Sequence, residues 1–324
     1  MEAEIVQRAG VPFTAIPAAG VHGVGFGRLP GNVARLVRGV LASAQILRRF
    51  RPHVLLFTGG YVAVPMAIAG WRRRTLLCVP DIEPGLALRF LAKIADQITV
   101  TAQESLRHFP RRASVLVAGY PVRTELTAWS REDAVRHLEL DPTARTVLVA
   151  GGSLGAHSIN FAIFGRLREH LELAQIVHIT GSADIELARA AAASLPTGLA
   201  ARYHPFPYLQ EIGAAFAAAD VAISRSGASI LGEYPAFGLP AILVPYPHAW
   251  RYQYTNAQYL TQRGAAVMLE DGSLQEQLLS SLKELILNRP RLQAMKAAMR
   301  DVAFPGAAQR IAQQLVELAG RESE

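Results

Sequence analysis

Three segments in the second half of the chain place glycine or polar side chains directly after short apolar runs. The first is the sequence GGSLGA at residues 151–156, which follows the apolar run 146–150. Glycine lets a backbone approach a ligand closely, and the N–H groups that open the next helix favour an anion. The segment therefore predicts a phosphate site that includes Gly152 and Gly155, although a tight turn without a ligand has the same pattern.

The second segment is DVAISRSGA at residues 220–228, again an apolar run that ends in small residues. Ser226, Gly227 and Ala228 would present a second set of backbone N–H groups at the start of a helix. Glu233 follows in that helix, where its carboxylate could accept two hydrogen bonds from a ribose diol. The alternative is a glutamate that only stabilises the helix dipole.

The third segment, residues 245–257, contains Gln253 and Asn256 at the start of a predicted helix. Uncharged side chains that both donate and accept hydrogen bonds suit the hydroxyl groups of a sugar. His248 in the same segment is interpreted as a turn residue. Three such turns on one parallel sheet meet at the carboxyl ends of its strands, where open α/β sheets bind ligands.

The first half of the chain has a further glycine turn and one notable cation. Gly59, Gly60 and Tyr61 follow the apolar run 54–58, and Arg123 lies just before the predicted second domain. Arg123 could pair with a phosphate or orient a sugar, or it could be an ordinary surface arginine.

The sequence gives no indication of a metal or other cofactor. It contains no Asp-x-Asp motif, and its His, Cys, Asp and Glu residues are not spaced like metal ligands. Charge on a leaving group would then be stabilised by backbone N–H groups, helix N-termini and arginine.

These segments are embedded in a regular alternation of short β-branched runs and longer Ala- and Leu-rich stretches. This alternation is typical of α/β domains with parallel sheets. Strands are predicted at 54–58, 75–79, 97–101, 114–117, 146–150, 175–180, 201–204, 220–224, 241–245 and 266–269. Helices are predicted at 32–50, 159–170 and 230–237, among others, and a linker at 119–130.

The prediction is therefore two doubly wound, Rossmann-like domains that face a cleft. Residues 1–125 form the first domain, residues 126–302 form the second, and a C-terminal helix over about 303–324 could pack back on the first. A doubly wound domain normally opens with a strand, a turn and a helix, whereas Met1 enters what resembles the end of a helix. We expect the first domain to lack an N-terminal unit of roughly 30–40 residues.

The composition of the chain bears on its redox compartment and on whether it enters a membrane. A single cysteine, Cys78, excludes a disulfide framework and fits a reducing compartment. The chain opens on MEAEIVQRAG, which does not resemble a signal peptide. The uncharged run from Val54 to Trp71 is 18 residues long, but Gly59, Gly60 and Pro65 interrupt it, and a buried strand and turn is the better interpretation. A soluble protein is expected.

Charge is unevenly distributed along the chain. Residues 1–125 contain 16 Lys and Arg against 7 Asp and Glu, whereas the remainder contains 17 against 19. A net charge of +9 in the first half is either ordinary solvated surface or an attraction to an anionic membrane. Nucleic acid is not expected as a partner, because no recognition motif accompanies the charge.

At these motifs the sequence resembles the MurG family of glycosyltransferases. The resemblance is carried by MEAEIV near the start and by residues 59–61, 91–95, 121–124, 151–156, 224–233 and 253–257. It implies a GT-B fold and a peripheral enzyme at the cytoplasmic face of the cell membrane. It also implies inverting transfer of N-acetylglucosamine from UDP-GlcNAc to an undecaprenyl-diphospho-muramoyl pentapeptide, a step of peptidoglycan synthesis for the cell wall and thus for cell shape and division.

By this resemblance several residues acquire roles in donor binding. Glu233 would hold the ribose, Ser153 the diphosphate, and the backbone near Leu209 the uracil. Arg123 would also reach the donor, and Gln253 and Asn256 would face its sugar.

The departures from the family pattern lie mainly on the acceptor side. The family's first glycine-rich loop, which ends in a histidine, precedes Met1. Its His-Glu-Gln-Asn segment is replaced by Cys78-Val79-Pro80-Asp81, and two of its glutamines are Leu154 and Tyr252. No catalytic base is identified, and Asp81 and Glu83 are the candidates.

Three other functions remain open. The first is a related GT-B transferase with another acceptor, such as a diacylglycerol or a secondary metabolite, which the changed segment 78–81 favours. The second is a UDP-GlcNAc 2-epimerase, which shares the fold. The third is a non-catalytic UDP-sugar-binding protein.

Overall fold

Two parallel β-sheets form the centre of the molecule. The computed structural model describes residues 3, 6–7, 9–18, 29–152, 155–247 and 251–320. Within these residues the first sheet has the order β1-β2-β3-β4 and the second the order β10-β9-β8-β5-β6-β7. The paired strands in both sheets are parallel, which confirms the predicted fold class of two Rossmann-like domains.

The strands lie close to the predicted runs. They are β1 Val54–Phe57, β2 Arg74–Val79, β3 Gln97–Val100, β4 Val115–Val117, β5 Thr146–Ala150, β6 Gln175–Ile179, β7 Tyr203–Phe206, β8 Val221–Ser224, β9 Ala241–Leu243 and β10 Ala266–Met268. The prediction of a strand at 201–204 is displaced, because the N–H of Ala201 donates to the carbonyl of Thr197 and so still belongs to the preceding helix.

The helices connect successive strands. In the first half they are α1 Leu29–Phe50, α2 Ala63–Ala69 and α3 Leu86–Leu91, with a 3₁₀ helix at Gln103–His108. In the second half they are α4 Arg131–His137, α5 His157–Gly165, α6 Leu167–Leu173, α7 Ile185–Ala193, α8 Thr197–Ala200, α9 Ile212–Ala218, α10 Ile230–Phe237, α11 Tyr252–Gln262, α12 Leu274–Leu287, α13 Arg289–Asp301 and α14 Ala307–Gly320. Among the helices described, none is both long and apolar enough to cross a membrane.

One predicted helix is two helices in the structure. The stretch 159–170 is divided at Arg166, whose φ of −136° and ψ of 35° end α5 and precede α6. Gly165 comes immediately before this break, and glycine weakens a helix interior because it has the most conformational freedom to lose.

The second sheet is buried on both faces, which explains why its strands are nearly continuous apolar runs. Leu148 of β5 packs into one apolar cluster, whereas its neighbours Val147 and Val149 pack into the other. Successive side chains of a strand point to opposite faces, so helices must cover both sides of this sheet.

The C-terminal helix α14 returns to the first sheet. It contacts β1 and β2, and its Ile311 and Leu318 are buried together with Leu76, Cys78 and Ala118. A helix from the C-terminal end of the chain therefore covers part of the apolar surface of the first sheet. The domain boundaries at 125 and 302 stay a prediction.

Candidate functional site

A cavity of about 940 Å³ lies at the carboxyl ends of the strands of the second sheet. Its walls come from the three turns that follow β5, β8 and β9, from helix α10 and from the linker. Residues that line it include Gly151, Gly152, Gly155, Leu209, Ser224, Arg225, Gly227, Glu233, Tyr246, Gln253 and Arg123. The volume is in the range of cavities that hold small ligands.

The first turn needs glycine for steric reasons. Gly152 and Gly155 have φ values of +86° and +81°, which side chains rarely adopt. A Cβ atom on Gly155 would lie 2.2 Å from the carbonyl oxygen of Thr180, and one on Gly151 would lie 2.0 Å from the backbone nitrogen of Ala156. The backbone is thus brought to the edge of the cavity just before α5 begins at His157. Ser153, the predicted diphosphate ligand, and Leu154 lie outside the described residues.

The second turn, after the neighbouring strand β8, presents backbone to the same cavity. Gly227 lines the cavity, and the N–H groups of Ile230 and Leu231 donate to the carbonyls of Gly227 and Ala228 as α10 starts. Ser226 is fully buried behind this turn. Ser226 is therefore packed inside the protein, whereas Gly227 faces the cavity.

Glu233 lies one turn into α10 and lines the same cavity, as does Arg123 from the linker. Burial raises the pKa of the Glu233 carboxyl above its ordinary value, although a hydrogen bond from Ser229 and the charge of Arg123 act in the opposite direction. A partly desolvated carboxylate gains most from ligand donors that replace lost water. Its position suits recognition of a diol.

One wall of the cavity is apolar. Ile179, Leu209, Ile212, Phe216 and Ile230 all line it. Leu209 follows strand β7, so the carboxyl end of the sheet supplies apolar surface against which an aromatic base could pack.

The two polar side chains of the third segment take different positions. Gln253 lines the cavity, and its Oε1 accepts a hydrogen bond of 2.9 Å from the N–H of Tyr246. Asn256 is fully buried and does not appear in the cavity wall. Its amide nitrogen donates to Asp81 at 2.8 Å and to the Ser226 carbonyl at 3.1 Å. His248 lies outside the described residues.

The two candidate bases meet the second domain through α11. Burial raises the pKa of the Asp81 carboxyl, and the hydrogen bond from Asn256 opposes this increase. Glu83 is buried, with one oxygen 2.7 Å from Arg89 and the other 3.2 Å from the Thr255 hydroxyl. Both carboxylates therefore belong to the contact between the two halves of the molecule.

The predicted acceptor-side turn lies in the first sheet, away from the cavity wall. Gly59 and Gly60 follow β1 with φ values of +122° and +77°, and Tyr61 is exposed. The turn requires glycine, as expected from its position after a strand.

A polar network beside the cavity was not predicted from the sequence. Arg225 lines the cavity, forms an ion pair with Asp271, and donates to the Ser158 hydroxyl at 2.7 Å. Ser158 in turn donates to Asp271 at 2.7 Å. Arg225 belongs to the second segment, so the sequence shows an arginine beside the predicted site. No local pattern, however, connects it with a carboxylate 46 positions away.

A second unpredicted pair is His157 and Asp184. The Nδ1 atom of His157 lies 3.0 Å from Asp184, and His157 lines the cavity at the start of α5. Within the part of the chain that the structure describes, no three His, Cys, Asp or Glu side chains are grouped so that they could hold a metal ion.

Comparisons with known proteins agree with this arrangement. The model of the glycosyltransferase family 28 N-terminal domain matches residues 1–100, and that of the family 28 C-terminal domain matches residues 146–311. Among solved structures, MurG of Acinetobacter baumannii superposes with a TM-score of 0.73 at 24% identity and covers 98% of this chain and 88% of that one. A UDP-GlcNAc 2-epimerase from Neisseria meningitidis, bound to UDP-GlcNAc, gives 0.68 at 11% identity over 98% and 88%. Both show the fold alone.

The two family matches, which together cover most of the chain, place it among the glycosyltransferases, and its two parallel-sheet domains are of the GT-B type. Two relatives are each named UDP-N-acetylglucosamine–N-acetylmuramyl-(pentapeptide) pyrophosphoryl-undecaprenol N-acetylglucosamine transferase. That of Desulforudis audaxviator is 40% identical over 337 residues, covering 99% of this chain and 88% of the relative, and that of a Roseiflexus species is 39% identical over 357 residues, covering 96% and 80%. The chain belongs to the MurG family within glycosyltransferase family 28, as the resemblance predicted.

Proposed function

We propose that this protein transfers N-acetylglucosamine from UDP-GlcNAc to an undecaprenyl-diphospho-muramoyl pentapeptide. The observation that carries the proposal is a single cavity lined by two glycine turns, Glu233 and Arg123. Relatives at 40% and 39% identity that are named for this reaction support it, because they extend over nearly the whole chain.

The donor occupies the cavity in a defined order. Uracil packs on the apolar wall at Leu209, and Glu233 accepts hydrogen bonds from the ribose. The diphosphate binds beside the first glycine turn at Gly151, Gly152 and Gly155, with Gly227 and Arg123 also lining this part of the cavity. The sugar faces Gln253. In this order the Glu233 carboxylate binds the neutral ribose hydroxyls, and backbone N–H donors bind the diphosphate anion.

Transfer proceeds by attack of an acceptor hydroxyl on the anomeric carbon, while the bond from that carbon to the diphosphate oxygen breaks. UDP leaves, and its new charge is stabilised by the glycine-turn N–H groups, the N-terminus of α5 and Arg123, with no metal ion required. Inversion at the anomeric carbon follows from a single displacement.

The proton of the acceptor hydroxyl needs a base. Of the two candidates, Asp81 is favoured over Glu83, because both Glu83 oxygens already bind protein groups. Burial also raises the pKa of Asp81, which brings the carboxyl closer to the pKa of an effective base.

Asn256 acts by holding other groups in position and not by binding the donor sugar. Its amide connects Asp81 to the Ser226 carbonyl behind the second turn. In this proposal Asn256 aligns the candidate base with the donor.

The enzyme associates peripherally with the cytoplasmic face of the membrane through helix α1. Val33, Val37 and Leu41 are 45%, 53% and 61% exposed and follow one another at intervals of four, so they form one apolar stripe. Arg38, three residues before Leu41, and Arg48, seven residues after it, lie next to this stripe on the same side of the helix. An apolar stripe beside arginines suits a surface of anionic lipids.

The membrane proposal is tested by sedimentation with vesicles. Binding to vesicles that contain phosphatidylglycerol should exceed binding to neutral phosphatidylcholine vesicles at low salt. Leu41→Ser should reduce it, whereas Leu187→Ser, at a similarly exposed leucine on α7, should not. Equal sedimentation with both kinds of vesicle would contradict the proposal.

The reaction itself is tested with purified protein in the presence of EDTA. UDP should be released only when UDP-GlcNAc and the lipid-linked muramoyl pentapeptide are both present. A lipid-linked disaccharide that carries the pentapeptide should accumulate as the product. Conversion of UDP-GlcNAc to its 2-epimer without an acceptor would identify an epimerase instead. Binding of UDP-GlcNAc without either reaction would identify a binding protein.

A further inference from the structure

A second charged cluster lies where the two halves of the molecule meet, outside the cavity wall. Its centre is Glu83, whose side chain is only 7% exposed. Arg89, in the first half, lies 2.7 Å from one carboxylate oxygen. Arg251, in the second half, lies 3.9 Å from the other and is 76% exposed. One buried carboxylate is thus shared by cations from both halves.

The cluster carries more positive than negative charge. Arg107 lies at the end of the 3₁₀ helix 103–108, and its Nε donates to Nε2 of His108 at 3.3 Å. Burial lowers the pKa of His108; Glu83 opposes this decrease, while Arg107, Arg89 and Arg251 add to it. The charges of three guanidinium groups and of one carboxylate therefore all reach His108. The other carboxylates of this contact are engaged elsewhere, since Asp81 binds Asn256 and Glu104 pairs with Arg263.

The position of the cluster relates it to the donor cavity. Arg251 stands immediately before α11, and Gln253, two residues later, lines the cavity. Arg89 belongs to α3 of the first half. An anion held by these arginines would border the place where the donor sugar is expected, without overlapping the donor diphosphate.

We infer that Arg89, Arg107 and Arg251 form a second anion site that binds an acidic group of the acceptor. This inference rests on the proposed function. Guanidinium groups match phosphate and carboxylate oxygens with paired hydrogen bonds. The acceptor offers both chemistries, a pyrophosphoryl group beside the reacting sugar and the carboxylates of its peptide. The long Arg251–Glu83 contact is weak enough for an incoming anion to replace it.

Kinetics with single arginine variants test the site. Arg251→Gln and Arg107→Gln should each raise the KM for the acceptor about tenfold, the scale of one hydrogen bond to a charged group. The KM for UDP-GlcNAc should change less than twofold. Arg168→Gln is the matched control, because Arg168 is an exposed arginine on α6 that pairs with Glu172 on its own helix. An unchanged acceptor KM in both cleft variants would overturn the inference.

Direct binding separates this inference from the proposed reaction and distinguishes the two sources of the anion. With the donor cavity saturated by UDP, inorganic pyrophosphate and the free muramoyl pentapeptide are titrated in turn by calorimetry. Binding of pyrophosphate that Arg251→Gln weakens assigns the site to the pyrophosphoryl group, and the same result with the peptide assigns it to the carboxylates. If the wild-type protein binds neither probe, or binds them equally well in Arg251→Gln, the inference is wrong whether or not the transfer reaction occurs.

Discussion

The side chain of Asn256 joins the two halves of the molecule through Asp81. Its Nδ2 donates to the Asp81 carboxylate at 2.8 Å, and its Oδ1 accepts from the Ile82 N–H at 3.0 Å. The same Nδ2 donates to the Ser226 carbonyl in the second glycine turn. A single buried amide therefore ties the first domain to the backbone that faces the donor cavity, so its loss should affect both stability and donor-dependent activity.

The first prediction is that Asn256→Asp destabilises the protein at neutral pH and less so at acidic pH. The substitution replaces a donor by a carboxylate oxygen that faces Asp81 and the Ser226 carbonyl. Two adjacent carboxylates share a proton, so the pKa of one rises further. A carboxyl whose pKa is raised in the folded state retains stability at low pH and loses it as pH increases. We expect a loss of about 3–5 kcal/mol at pH 8 and a smaller loss at pH 5, measured by urea unfolding.

Asn288→Asp provides the control for this experiment. Asn288 precedes α13, and its side chain accepts from the N–H of Arg291 in the first turn of that helix. Aspartate serves equally well at such a position, so this variant should change stability by less than about 0.5 kcal/mol at either pH. Equal destabilisation of Asn256→Asp at pH 5 and pH 8 would show that repulsion with Asp81 is not the cause.

The positions of the strands, and the turns that line the cavity, could be predicted because their signals are local. Residues 146–150 and 221–224 are continuous apolar runs that end in glycine or small residues, and such runs identify buried parallel strands and the turns after them. Glu233 and Gln253 follow these turns at short distances and therefore reach the same cavity.

Contacts between distant parts of the chain left no such local signal. Asn256 carries the polar character expected of a sugar ligand, yet its amide binds Asp81, 175 positions away. Likewise Arg225 pairs with Asp271, 46 positions away, because the fold brings the turn after β8 next to the segment after β10. Residue type alone does not distinguish a buried amide between domains from one that faces a ligand.

The second prediction concerns Glu233 and the ribose. Glu233→Ala should weaken UDP binding by about 1.5–3 kcal/mol, the scale of hydrogen bonds to a charged group. Because burial raises the pKa of Glu233, UDP binding to the wild-type protein should fall on acidification at a pH above the ordinary glutamate pKa of 4.5. Calorimetry across this pH range measures both effects.

A UDP analogue tests whether Glu233 contacts the ribose in particular. A UDP analogue without the ribose 2′-hydroxyl should bind the wild-type protein more weakly, but Glu233→Ala should bind it nearly as well as UDP. Glu186→Ala, at an exposed glutamate paired with Arg189, should leave both affinities unchanged. If the variant still discriminates between the two ligands as strongly as the wild type, Glu233 does not contact the ribose.

The third prediction concerns the first glycine turn. In Gly155→Ala the new Cβ would meet the Thr180 carbonyl at 2.2 Å at a φ of +81°, so the turn must move away from its position beside the cavity. UDP binding should fall at least tenfold, while Gly198→Ala, where a Cβ would meet no atom within 4 Å, should bind normally. Fluorescence or calorimetric titration measures this, and circular dichroism establishes that both variants fold. Normal UDP affinity in a folded Gly155→Ala would exclude the turn from the donor site.

The fourth prediction concerns the buried carboxylate of Asp220, whose side chain is 3% exposed. Its oxygens lie 3.1 Å from Arg131 and Arg145 and 3.2 Å from Lys296, and they also accept the N–H of Thr146 at the start of β5. Burial alone would raise the pKa of Asp220. The Thr146 N–H and the charges of Arg131 and Lys296 outweigh it, so the pKa is lowered.

A lowered carboxyl pKa stabilises the folded state above the unfolded value of 3.8, and this contribution is lost as pH falls through the folded pKa. Asp220→Asn should therefore cost about 3 kcal/mol at pH 7, the lower end for a broken buried ion pair, because the three cations can still reach solvent. The cost should shrink only below pH 3.8, where the unfolded chain takes up the proton first, and it should vanish as pH falls through the lowered pKa of the folded wild-type protein. Asp133→Asn, at an exposed aspartate of α4, should cost less than about 1 kcal/mol. Urea unfolding of both variants at a series of pH values from 7 down to about 2.5 measures these differences. A loss in Asp220→Asn that does not depend on pH over this range would mean that packing, rather than charge, makes Asp220 stabilising.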